Sequence, residues 1–165
     1  KNLKKSLIQL IREILMDPIF DCIPNNSYIS VTIVDNEIIK ELNKAYRNID
    51  NPTDVLSFPI KEMLPNEYIL GEIIISQEMV IENAKKYGLT SNIELLKLII
   101  HSLLHLIDYD HKTPEEEKKM KYLGNEYCSQ NYLISSFLLS ATFLGSFMTS
   151  IAFSKLALAS LILIS

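Results

Sequence analysis

Glycine and proline are scarce in this chain: its 165 residues include 4 Gly and 6 Pro, which excludes collagen-like and low-complexity architectures. Cysteine is scarcer still. Cys22 and Cys128 are too few to staple a fold, and their separation matches no metal or redox motif. Both are read as reduced thiols, which makes the expected setting cytoplasmic. Positive charge is also short, because a net charge of −4 argues against binding nucleic acid through global basicity and leaves open only a local basic site. Charge of either sign fades at the C-terminal end, where Lys155 is the one Asp, Glu, Lys, Arg or His between positions 127 and 165. Composition thus separates a soluble body, residues 1–130, from an apolar tail, residues 131–165.

Within the body, residues 2–16 place Leu3, Leu7, Ile8, Leu10, Ile11, Ile14 and Leu15 at helical spacing between Lys4, Lys5 and Arg12. Pro24, Asn25 and Asn26 break the pattern, and the β-branched run at 28–34 reads as a strand. Asp35 or Asn36 caps a helix expected over 37–46, and a loop follows at 48–52. Short strands are expected at 55–58 and 69–75, the second buried enough to carry three consecutive isoleucines. Helices are expected at 77–87 and 91–107, the latter opened by a Ser91–Glu94 capping box, and another starts at Pro114.

All three histidines, His101, His105 and His111, fall within eleven residues. His101 and His105 are four apart on a helix, so they stack on one face and can present two imidazole nitrogens to one ion. His111 lies past the helix end, where a chain turning back near Asp108 could bring a third. Three protein ligands with one open position is the layout of a catalytic zinc rather than a structural one, and other borderline divalent ions also suit imidazole. The offsets of four and six match the metzincin pattern H-E-x-x-H-x-x-G-x-x-H, with two departures. Ser102 stands where the peptidase keeps its general-base Glu, and Asp108 replaces the turn glycine. Asp tolerates left-handed backbone better than most residues, so that turn is strained rather than forbidden. Partly buried core histidines remain the plain alternative for an isolated pair, and Asp110 is either a carboxylate orienting an imidazole or an exposed loop acid.

The segment from His101 through Leu104, His105, Tyr109 and Asp110 to His111 resembles the H-G-x-L-H-L-x-G-Y-D-H signature of the YbeY-type endoribonucleases, the rRNA maturation factors. Upstream, Leu42-Asn43, Tyr46-Arg47, Asp50 and Pro52-Thr53-Asp54-Val55-Leu56-Ser57-Phe58-Pro59 are similar to that family's L-N-x-x-Y-R-x-x-D-x-P-T-D-V-L-S-F-P block. A weaker third match is Gly71-Glu72-Ile73. The likeness covers residues 29–120, with Ser102 and Asp108 replacing two family glycines and Glu72 the usual Asp.

The resemblance implies an α+β fold with a small mixed sheet flanked by helices and a zincin-like metal-binding helix. It also implies one Zn2+ held by His101, His105 and His111, and an essential Arg47. The implied activity is single-strand-specific, metal-dependent RNA cleavage in rRNA maturation, at the 3′ end of the small-subunit rRNA, and in ribosome quality control. The implied partners are single-stranded RNA, rRNA and the small ribosomal subunit. Chemically, a forked and always protonated Arg47 suits the non-bridging oxygens of a phosphodiester, and Phe58 could stack an unpaired base. Two alternatives stand beside this reading: a ribosome-associated metal-binding module without turnover, and a metzincin-like metallopeptidase.

The tail is an addition to the family pattern. Residues 133–154 form 22 uncharged positions, enough to span about 33 Å as a helix. Membrane association through this segment is one expectation, and a tail that packs on a partner or is poorly folded is the other.

Overall fold

The computed structural model describes residues 8, 11–12, 14–109, 113–116, 118, 120–122 and 149–154. Strand β1 (Ser27–Val34) alternates as its β-branched pattern demands, with Ser27, Ile29, Val31 and Ile33 buried. Helix α1 (Asn36–Arg47) starts where the Asp35 carboxylate accepts the Ile38 N–H at 2.9 Å, and it ends at Asn48 in left-handed backbone, φ 58°. Strands β2 (Val55–Met63) and β3 (Tyr68–Ser76) follow, then α2 (Gln77–Tyr87) and α3 (Ser91–Leu106). Strand β4 (Thr149–Ser154) comes from the tail.

The sheet order is β2-β3-β1-β4, with β1 parallel to β3 and both outer pairings antiparallel, so the sheet is mixed and the fold α+β. Ile73, Ile74 and Ile75 are all buried because both faces of the sheet are covered. Ile73 and Ile75 join Leu95, Leu96, Ile99, Ile100, Leu103 and Leu104 of α3 in the larger core, to which Ile11, Ile14, Leu15 and Phe20 also belong. Ile74 turns to the other face and packs with Val34, Ile39 and Leu56, flanked by Ile38, Leu42 and Phe58. Helix α1 therefore lies on one face and α3 on the other, with the outermost strand β2 between their ends.

Three details depart from the sequence expectations. The N-cap of α3 is Thr90, whose hydroxyl accepts from the Ile93 N–H at 3.3 Å, so Ser91 is the first helical residue and Glu94 turns inward. Strand β2 does not stop at Phe58: it continues past Pro59, tolerated because β2 is an edge strand, through a register shift containing Lys61 at φ 54°. In the tail, Thr149–Ser154 pairs with β1 as a strand, whereas the remainder of 133–154 lies outside the described residues. Among the described residues no helix is long and apolar enough to cross a membrane. The helix expected after Thr113 is present at the described positions, with a reciprocal box in which Thr113 Oγ1 accepts from Glu116 N and Glu116 Oε2 from Thr113 N.

Candidate active site

Helix α3 is apolar over most of its length, and three of its polar residues share one line. Glu94, His101 and His105 are spaced by seven and four, which puts them within about 20° of one line along the helix at 3.6 residues per turn. That line faces β2. At the far end of the helix, a Cβ on Gly71 would lie 2.5 Å from the Phe58 carbonyl oxygen and 2.7 Å from a Leu106 methyl carbon. Only glycine leaves room at this point for both the β2 backbone and the Leu106 side chain.

The His101 and His105 rings are half-buried and meet edge to face, their centroids 4.6 Å apart at 86°. Their Nε2 atoms approach to 3.1 Å. Imidazole nitrogens about 2.0–2.1 Å from one tetrahedral zinc stand about 3.4 Å apart, so the pair fits two ligands of one ion. Neutral imidazole is also the right donor for zinc, nickel or another borderline divalent cation. Asp110 and His111, the third expected ligand, lie outside the described residues, and among the described residues no group of three His, Cys, Asp or Glu side chains converges on one point.

Beyond His105 the helix closes as a Schellman turn. Tyr109 N–H donates to Leu104 O at 2.9 Å, Asp108 N–H to His105 O at 3.1 Å, and Asp108 takes the left-handed position at φ 65°. The turn expected near Asp108 is therefore present, with the strain expected of a residue other than glycine. The Asp108 carboxylate is ion-paired with Lys61 from the β2 irregularity, so two left-handed residues face each other across the gap between β2 and α3.

Ser102, expected to add a side chain near the ligands, points elsewhere. Its hydroxyl is fully buried in the core and has no hydrogen-bond partner among the described residues.

At the other end of the stripe, the Asp54 Oδ1 accepts from Val55 N at 2.9 Å and from Thr53 Oγ1 at 3.3 Å, and Oδ2 accepts from Asn83 Nδ2 at 3.4 Å. Its backbone carbonyl accepts from Ser76 N at 2.9 Å. Asp54 thus ties the start of β2 to the β3–α2 junction and to α2. Glu94 adds α3 to this group. It is 4% exposed, and its Oε2 has no hydrogen-bond partner among the described residues. Burial, and secondarily the Asp54 charge, push its carboxyl above the ordinary range against the opposing pull of Lys97 and of a hydrogen bond from Asn83. The sequence reading assigned Glu94 to a capping box and passed over Asn83. The available signal was an acid seven residues before His101 in an otherwise apolar stretch.

Arg47 is exposed at the last turn of α1, and no described carboxylate pairs with it. The acid in its motif, Asp50, is engaged by Lys44 at 2.8 Å and Lys40 at 3.4 Å, and those hydrogen bonds lower the Asp50 pKa while the first raises that of Lys44. Asn43, buried one turn earlier, anchors the following loop by donating to the Asn51 carbonyl at 2.7 Å. Arg47 forms no bond to the histidines, being on the helix that packs against the opposite face of the sheet.

Fold and site together define an α+β protein with two convergent imidazoles on a core helix beside the open edge of a mixed sheet. The family model for Endoribonuclease YbeY matches residues 1–131, and the chain belongs to that family. An Endoribonuclease YbeY from a Sulfurovum species is 50% identical over 100 residues, covering 58% of this chain and 68% of the relative. One from Bacillus cereus is 42% identical over 130 residues, covering 73% and 83%. A solution structure of a Thermotoga maritima protein aligns over 88% of this chain and 90% of its own length, with a TM-score of 0.55 and 31% identity.

Proposed function

We propose that this chain is a metal-dependent, single-strand-specific endoribonuclease of rRNA maturation, acting at the 3′ end of the small-subunit rRNA and in ribosome quality control. The observation that carries the metal part of this reading is the 3.1 Å approach of the His101 and His105 Nε2 atoms on one helix face. His101, His105 and His111 would hold one divalent cation, Zn2+ being the best match to an all-imidazole set. Such an ion supplies Lewis acidity, polarising a phosphoryl oxygen and making water a usable nucleophile near neutral pH.

This chain's own residues supply the rest. Arg47 binds the non-bridging oxygens of the phosphodiester and the charge that builds on them, free of competition because Asp50 is occupied by two lysines. Asn43 and Asp54 hold the loop between Arg47 and β2 at both ends, which fixes where the phosphate lies. Because β2 is the edge strand, an RNA strand crossing it would meet Arg47 from the α1 face and the histidines from the α3 face. The peptidase alternative lacks its proton carrier, because position 102 holds a core-facing serine.

The test is cleavage of a labelled RNA with a single-stranded ribosomal 3′ extension by the full chain, beside His105→Ala and Arg47→Ala. His105→Ala and a chelator should each abolish cleavage, and Arg47→Ala should lower kcat/KM by about a hundredfold or more. Cleavage that survives both chelation and His105→Ala removes the metal reading. A metal-loaded wild type inert on RNA and on assembled small subunits moves the assignment to a binding module without turnover.

A further inference from the structure

Tyr46 is a large aromatic residue left 66% exposed at the end of α1. Its ring is nevertheless held in place, because it meets the Phe58 ring of β2 edge to face with centroids 4.9 Å apart and planes at 64°. Phe58 is anchored in turn, half-buried against the Val34–Ile39–Leu56–Ile74 cluster. The next residue is Arg47, which has no carboxylate partner among the described residues because Asp50 is taken by Lys40 and Lys44. A fixed aromatic face beside an uncompensated guanidinium is the pairing that unpaired nucleotides use: the ring stacks the base and the cation takes the phosphate. Duplex RNA cannot use such a platform, since its bases are already stacked.

We infer that Tyr46, braced by Phe58, is a base-stacking subsite for an unpaired nucleotide of single-stranded RNA whose phosphate is held by Arg47. This rests on the ribonuclease reading and adds to it a residue that selects for single strands. The Phe58 carbonyl oxygen and the Leu106 side chain both crowd Gly71, and Leu106 follows His105, so the strand that braces Tyr46 also packs against the end of the histidine-bearing helix.

The experiment measures equilibrium binding of a fluorescent single-stranded RNA oligomer and of an abasic oligomer of equal length, using the full chain carrying His105→Ala to prevent cleavage. Tyr46→Ala is added to that chain, with Tyr46→Phe as the conservative variant. Stacking is worth about 1–3 kcal/mol per base, so Tyr46→Ala should weaken base-bearing RNA by about fivefold or more and leave the abasic oligomer unchanged. Tyr46→Phe should bind as the parent does. Phe58→Leu should reproduce part of the loss, and Arg47→Ala should weaken both oligomers alike and reduce the salt dependence by about one phosphate contact. With otherwise wild-type chain, Tyr46→Ala should raise KM for the single strand without changing kcat. Equal affinity of parent and Tyr46→Ala for base-bearing RNA, or an equal loss on both oligomers, overturns the inference while cleavage by wild type leaves the ribonuclease reading intact. Failure of wild type to bind or cleave any RNA overturns both.

Discussion

Glu94 is the least conventional side chain among the described residues, a carboxylic acid buried in the core about two helical turns before His101 on the same stripe. Its raised pKa means that it binds its proton more tightly in the folded than in the unfolded state. The stabilisation this brings is complete below the unfolded value and is lost as pH rises through the folded one. Glu94→Gln keeps the shape and removes the ionisation, so it should raise the melting temperature at neutral pH, with an advantage that shrinks as pH falls toward the ordinary carboxylate range. Thermal scans of both proteins from acid to neutral pH check this, and a Gln variant less stable at neutral pH would show that the ionised form is the one the core accommodates. The histidine pair was legible from the sequence because a spacing of four has one meaning on a helix. Glu94 was not, since its position also fits a capping box with Ser91, and only burial decides between the two. Arg47 was recognised from its motif, but its isolation from Asp50 depends on two lysines one and two turns away that no motif marks.

At the scale of elements, the turn after α3 concentrates strain where the helix hands the chain on toward His111. Asp108 occupies a left-handed position that costs a non-glycine residue about 1–2 kcal/mol, and its exposed ion pair with Lys61 returns only a fraction of that. Asp108→Gly should therefore stabilise the protein by about 1 kcal/mol, read from denaturant midpoints, while Lys61→Ala should change stability by less than about 0.5 kcal/mol. A loss of stability in Asp108→Gly would mean that the pairing with Lys61, rather than the backbone, governs this turn. Helices and strands were legible to within a residue or two wherever side-chain chemistry sets the boundary, as at Asp35 and Tyr87. The exceptions have physical causes. Thr90 and Ser91 carry the same capping hydroxyl, and Pro59 ends a central strand but not an edge one.

For the whole molecule, the sheet order joins segments that local pattern cannot connect. Strand β1 pairs in parallel with β3 across an intervening helix and strand, and in antiparallel fashion with residues from the tail. Apolar character alone left the tail open to membrane association or to packing on a partner, since uncharged residues serve a lipid interior and a sheet edge equally well. If β4 covers β1 in solution, a chain ending at residue 131 should lose amide protection at alternate positions of Ser27–Val34 while keeping it along β3. Hydrogen exchange on the two chains measures this, and unchanged protection in β1 would show that β4 is not its partner.

The contact at Gly71 has an evolutionary consequence. Any substitution there adds a Cβ against a backbone oxygen, which cannot step aside as the Leu106 methyl can. A single-nucleotide change in that codon that alters the amino acid would push β3 away from the β2 backbone at Phe58 rather than trim a side chain. The position has no graded route of change, whereas positions 102 and 108 already carry side chains that the fold accommodates.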